Sequence, residues 1–133
     1  MPDKKKLPKS YTDDQLKKAA EGARNDISKL MMAIEELLSN AKAIRMNISH
    51  KSLEIATAIG AISVSETMMK NQLEDILSAV IKLMAEPDVG IIHARGMIDT
   101  CVAWHNANLD ALNQSIASYN SMPENKNDPI VKH

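Results

Sequence analysis

Cys101 and His105 are the two residues whose types and spacing come closest to a chemical site. On a helix, side chains four positions apart face the same way, so a thiolate and an imidazole at these positions could share a metal ion. His93 and His50 are the further candidate ligands. A structural zinc site needs four ligands, usually in closely spaced pairs, and this chain has a single Cys. We therefore expect no metal and no cofactor, and we expect His105 to be a hydrogen-bonded histidine of the core or of an interface.

The same pair is the best candidate for a nucleophile and its general base. The sequence contains no phosphate-binding loop and no dinucleotide fingerprint that would accompany such chemistry. The paired carboxylates Asp13-Asp14 and Glu35-Glu36 fall in a helix cap and on a solvated helix face. We therefore predict no catalytic residues and no enzyme activity, with Cys101 as an unreactive buried thiol.

A short lysine cluster precedes the first helical pattern, together with two prolines. Its members are candidates for contact with an anion: Lys4, Lys5, Lys6 and Lys9. Residues 1–10 cannot bury apolar surface, so we expect a disordered basic tail. The net charge of the chain is −1, and Lys17, Lys18 and Arg24 add a modest basic patch near the start of the first helix. Nucleic-acid binding is therefore the alternative function.

The composition favours helices that would position these residues. Aromatic residues make up 2% of the 133 residues, Phe is absent and there are only four Gly. A core of Ile, Leu, Met, Val and Ala with few turn residues is typical of a helical domain. The length suits one domain, which we predict over residues 11–120, followed by a disordered tail over 121–133.

An apolar ladder with alternating steps of four and three residues runs from Leu16 to Ile48. Such a seam must be buried against another helix. Thr12 and Gln15 have the spacing of a capping box, which places the start of this helix. We assign part of the seam to self-association: Ile27, Leu30, Ile34, Leu37 and Ile44.

The ladder shifts after Ile48, where a polar cluster covers residues 47–52. Pro87 and Asp88 mark a second stop, and Pro123 follows the third pattern. We predict an all-α fold of three long helices, over about 13–48, 52–86 and 89–120, in an elongated antiparallel bundle with coiled-coil-like packing. The alternative is one continuous rod through residues 48–52.

The second and third helical patterns carry more apolar residues than one buried stripe needs. Val64, Met68 and Ile81 lie beside the stripe of the second helix, in which Glu66 is an interruption. The third helix has a seam that contains Val102 and His105. Beside that seam runs a second row, which we predict to be the surface for a partner: Met97, Cys101 and Trp104.

Excess apolar surface predicts a homo-oligomer, with a dimer as the expected form. We therefore predict a non-enzymatic helical interaction protein, an adaptor, scaffold or chaperone-like protein, that binds itself and an unidentified protein partner. No secretory signal or membrane-spanning run is present in the sequence, so the expected location is the cytoplasm.

Overall fold

The computed structural model describes residues 11–123 and 129. Helix α1 spans Asp13–Ile48. The predicted capping box is confirmed, because the Thr12 hydroxyl accepts the Gln15 N–H at 3.1 Å and the Gln15 side chain accepts the Thr12 N–H at 2.9 Å. Asp13 and Asp14 add negative charge at the positive end of the helix dipole. The start of α1 is thus fixed by its own sequence.

The predicted break after Ile48 is confirmed. The backbone N–H groups of Lys51 and Ser52 both bond to the carbonyl of Ile48, which closes a tight turn. Helix α2 then spans Leu53–Ala85, and the Ser52 hydroxyl caps it by accepting the Ile55 N–H at 3.4 Å. A continuous rod through residues 48–52 is therefore excluded.

Helix α3 spans Gly90–Ser121. It begins after Pro87, and its N-cap is Val89, which makes no side-chain cap hydrogen bond, so the expectation that Asp88 is the cap is wrong. The Asp88 carboxylate, one position earlier, accepts the Gly90 N–H at 2.6 Å and so satisfies a donor of the first turn. The predicted tail at 121–133 begins at Ser121, the last residue of α3, and most of this tail lies outside the described residues. The predicted basic tail at 1–10 lies outside the described residues.

The three helices pack against one another as an all-α bundle, with no strand among residues 11–123. Short connections make α2 antiparallel to both α1 and α3. Two surface ion pairs link the helices: Lys70 with Glu35, and Arg95 with Asp26. The hydrogen bond that the Lys70 ammonium donates to the Glu35 carboxylate raises the pKa of Lys70. Coiled-coil packing in detail stays a prediction.

The core consists of two apolar clusters along the bundle. One joins the stretch Leu16–Ile34 of α1 to Met69–Val80 of α2 and Ile91–Cys101 of α3. The other joins the rest of α1 to the start of α2 and the end of α3. Between the clusters lie the only buried polar side chains that the described part of the chain contains, Glu66 and His105.

Candidate functional site

The buried polar layer joins α2 to α3. His105 Nδ1 lies 2.7 Å from Glu66 Oε1, and Asn108 Nδ2 donates to Glu66 Oε2 at 2.8 Å. Asn108 Nδ2 also donates to the Ser65 hydroxyl at 3.1 Å. Glu66 is completely buried, so these hydrogen bonds replace those to water that its side chain loses on burial. The prediction of a hydrogen-bonded core histidine is confirmed.

Sequence reasoning did not pair Glu66 with His105. Each was recognised separately, as an interruption of the α2 stripe and as a polar member of the α3 seam. The sequence contains a signal for this pair. Both residues are polar members of otherwise apolar stripes, and both are separated from Pro87 by similar numbers of residues. Such coincident interruptions on antiparallel neighbours predict a hydrogen-bonded pair.

A cavity of about 270 Å³ lies between α1 and α3 next to this layer. Glu36, Asn40 and His105 contribute its polar lining, and the rest of the lining is apolar. Within residues 11–123 and 129, no group of three or more His, Cys, Asp or Glu side chains is placed to hold a metal ion. No hydroxyl or thiol lines the cavity either. Among the residues that line this cavity, none therefore offers a nucleophile beside His105.

Cys101 lies in the first core cluster with 4% of its surface exposed. Burial raises the pKa of its thiol, because the charged thiolate would lose its hydration. The expectation of a buried thiol is confirmed. Cys101 also lines a cavity of about 200 Å³ together with Met97 and Trp104, and its place on the partner surface stays a prediction.

The buried stripe of α3 passes through Ile98, Cys101 and His105 in steps of three and four residues. Val102 was assigned to the seam, yet 39% of its surface is exposed. One residue further along a helix rotates the side chain by about 100°, so a stripe through Cys101 turns Val102 outward. The seam of α3 therefore lies one position earlier than predicted in this turn.

The other two residues of the predicted partner surface are exposed, Met97 by 41% and Trp104 by 54%. Val64 and Met68 of α2 lie beside Trp104, and the three line a common cavity of about 370 Å³. A second cavity of about 200 Å³ joins Trp104 to Met97. We call these four exposed residues the Trp104 patch.

The Trp104 patch belongs to a longer groove between α2 and α3. A third cavity of about 590 Å³ adjoins it at Ala61, which lines both. This cavity lies between Ile55 and Met122, toward the free end of α3. Most of its lining side chains are small or uncharged: Ala58, Ala61, Ala111, Gln114, Ser115 and Ser118. Sequence reasoning missed these positions, because single alanines and serines carry no signal until the helices are paired.

The self-association seam lies inside the chain's own bundle. Its residues are at most 6% exposed and pack in the two core clusters: Ile27, Leu30, Ile34, Leu37 and Ile44. Within one chain, α2 and α3 cover these residues, and their assignment to self-association stays a prediction. Self-association itself stays a prediction, and so does anion contact by Lys4, Lys5, Lys6 and Lys9, which lie outside the described residues.

Comparison with protein-family models, with curated proteins and with solved structures finds no match to this chain. Over the described residues, none of the three helices contains an apolar stretch sufficient to cross a lipid bilayer.

Proposed function

We propose that this chain is a non-enzymatic helical interaction protein, an adaptor, scaffold or chaperone-like protein, that acts by self-association and by binding another protein. The observation that supports this proposal is the Trp104 patch. Its four large apolar side chains come from two helices and are between 41% and 64% exposed. Scattered single apolar residues are normal on a surface, whereas a contiguous patch is typical of an interaction site.

The residue types of the patch suit binding. Trp104 can remove a large area from water through one rigid ring, and residues of this type supply much of the energy at protein interfaces. Met68 and Met97 are flexible and polarisable, so they adapt their shape to a partner. In the proposed complex the patch is covered, which removes its unfavourable contact with water.

The test is affinity capture from the native source with the wild-type chain and three variants. Trp104→Ala and Met68→Ala should lose the bound partner, whether that partner is a second copy or another protein. Met32→Ala is the matched control, because Met32 is 72% exposed on α1 and lines none of the cavities in the groove. Equal capture by all four folded proteins would contradict the proposal.

A cytoplasmic location is part of the proposal. Cys101 is a free thiol within the described residues, which fits a reducing compartment. Fractionation of the native source, with Cys101 probed by a thiol reagent in denaturant, tests this point. Recovery of the protein from an oxidising compartment would contradict the cytoplasmic location. Recovery of protein in which Cys101 forms a disulfide would also contradict it.

Nucleic-acid binding is the second candidate function. Lys17, Lys18 and Arg24 are exposed at the start of α1, the end of the helix that follows the lysine cluster. Phosphate contacts made by such a group would weaken steeply as salt is added. Salt-sensitive recovery of nucleic acid that is abolished by deletion of residues 1–10 would favour this function over the adaptor.

A further inference from the structure

His105 has one ring nitrogen that the buried polar layer satisfies and one that it does not. Nδ1 lies 2.7 Å from Glu66 Oε1, whereas Nε2 makes no hydrogen bond with the part of the chain that the structure describes. The His105 side chain is only 9% exposed. Buried polar atoms are nearly always paired, so an unpaired nitrogen in this position indicates a partner from outside the chain.

The direction of Nε2 follows from the helices on either side of His105. The two nitrogens of an imidazole ring point in nearly opposite directions, and Nδ1 points toward Glu66 of α2. Nε2 is therefore turned away from α2, toward the cavity of about 270 Å³ between α1 and α3 that His105 lines. The Glu66 carboxylate is an acceptor, so the shared proton lies on Nδ1 and Nε2 offers a lone pair to the cavity.

This cavity combines apolar walls with one charged group. Its lining residues run from Ala33 to Asn40 along α1 and from His105 to Leu112 along α3, in steps of one to four residues. At the helical rise of 1.5 Å per residue, the cavity is about 11 Å long. Glu36 is the only Asp, Glu, Lys or Arg residue in the lining, and it is exposed, so it lies at the mouth. An apolar cavity with a few polar groups is typical of a site for a small molecule.

We propose that this cavity binds a small amphipathic amine, whose ammonium group lies between His105 Nε2 and the Glu36 carboxylate. An ammonium group has three N–H donors and no acceptor, which matches an imidazole lone pair and a carboxylate. Its positive charge complements that of Glu36. The apolar part of the ligand lies against Leu37, Leu109 and Leu112. The cavity is slightly smaller than the range of about 300–1,000 Å³ for drug-sized ligands, so the amine is small.

This inference goes beyond the proposed function and does not depend on it, because the Trp104 patch lies between α2 and α3. The probe is n-hexylammonium, titrated into the ¹⁵N-labelled full chain at constant ionic strength and followed by nuclear magnetic resonance. We expect saturable shifts of amides that line the cavity, with a Kd of about 1 mM, as suits so small a ligand. Shifts that never saturate, or that centre on Trp104 instead, would overturn the proposal.

The nitrogen resonances of the His105 ring test the role of Nε2. At mildly alkaline pH, where hexylammonium keeps its proton, the free protein should carry the ring proton on Nδ1 and none on Nε2. Saturating probe should then move the Nε2 resonance. A protonated Nε2 in the free protein would overturn the proposal. An Nε2 resonance that ignores the probe would overturn it as well, and would leave water as the partner of this nitrogen.

Two glutamine variants test the charged group at the mouth. Glu36→Gln should keep the helical circular dichroism, because Glu36 is exposed, and should bind hexylammonium at least about tenfold more weakly. Glu35→Gln is the matched control, because Glu35 is the exposed neighbour that pairs with Lys70 and lines no part of the cavity. It should bind the probe like the wild type. Equal affinity of the two variants would overturn the proposal.

A neutral probe of the same length tests whether the charge of the ligand is recognised. n-Hexanol has the same apolar chain but a single donor and no charge, so it should bind at least about tenfold more weakly than n-hexylammonium. Equal affinities would show an apolar cavity without selectivity for amines, and would overturn the proposal.

Discussion

At the scale of single residues, the bundle depends on apolar side chains that exclude water completely. Ile34 has no exposed surface and lies in the first core cluster. Its neighbour Glu35 points outward and pairs with Lys70 on the surface. These adjacent positions show how one residue along a helix separates the core from solvent.

We therefore expect Ile34→Asp to destabilise the protein by several kcal/mol, about the whole stability of a small domain, because it buries an unpaired carboxylate. Glu35→Ala removes only an exposed, solvent-screened ion pair and should leave the melting temperature nearly unchanged. Thermal unfolding followed by circular dichroism measures both. An unchanged melting temperature of Ile34→Asp would show that α1 is wrongly oriented.

Glu66 illustrates the opposite case, a polar side chain that the core requires because of its partners. Glu66→Ala leaves the His105 ring and the Asn108 amide with a missing acceptor in the interior, and we expect a loss of roughly 3–5 kcal/mol. A second test compares the wild type with Glu66→Leu, His105→Leu and the double variant. The double variant should lose clearly less stability than the sum of the losses in the two single variants. Urea unfolding of the four proteins gives this coupling, and additive costs would argue against the hydrogen bond.

The Cys101 thiol should react slowly in the native protein. Burial restricts access and raises the thiol pKa, so little thiolate is present at pH 8. The raised pKa also means that the neutral thiol contributes stability below its ordinary pKa, and this contribution is lost as pH rises through the folded pKa. Modification by a maleimide should be at least about a hundredfold faster in denaturant. Equal rates in native and denatured protein would place Cys101 on the surface.

At the scale of helices, α1 and α3 each contain a glycine that packing does not require. A Cβ atom added at Gly22 or at Gly96 would meet nothing within 4 Å. Gly60 differs, because its Cβ would come within 2.8 Å of the Arg45 guanidinium. A side chain at Gly60 therefore requires the flexible Arg45 side chain to move, whereas the first two positions need no rearrangement.

Gly22→Ala and Gly96→Ala should each stabilise the protein by about 1 kcal/mol, since alanine loses less backbone freedom in a helix than glycine. The melting temperature should rise by roughly 3–5 °C for each change. The reverse change Ala43→Gly at an exposed helical site should lower it by a similar amount. A decrease in the melting temperature of Gly96→Ala would indicate that another group contacts this position.

At the scale of the whole molecule, dimerisation should couple stability to protein concentration. A complex that forms only between folded chains stabilises the folded state by mass action. A tenfold increase in concentration should raise the melting temperature by roughly 3 °C. Trp104→Ala, which removes the largest side chain of the Trp104 patch, should show a weaker dependence. If the melting temperatures of the two proteins depended on concentration in the same way, self-association through the Trp104 patch would be contradicted.

The sequence by itself determined the helices and most of the core. The capping box at Thr12, the cluster at 47–52 and Pro87 are local signals, and local hydrogen bonding sets where a helix begins and ends. The buried stripes of α1 and α2 follow from helical periodicity alone, which depends only on positions along one chain. These features needed no knowledge of how the helices pair.

Only the tertiary structure decided which exposed residues form one surface. The pairing of Glu66 with His105, the burial of Cys101 beside an exposed Val102, and the meeting of Val64 with Trp104 all depend on the relative rotation and register of α2 and α3. Periodicity alone fixes the rotation of a helix about its axis only to within one residue position, because a helix with two adjacent apolar rows can bury either of them. The packing of the three helices around the Glu66–His105 layer determines which row is buried. In this bundle the row that contains Cys101 is buried, and the Trp104 patch is exposed.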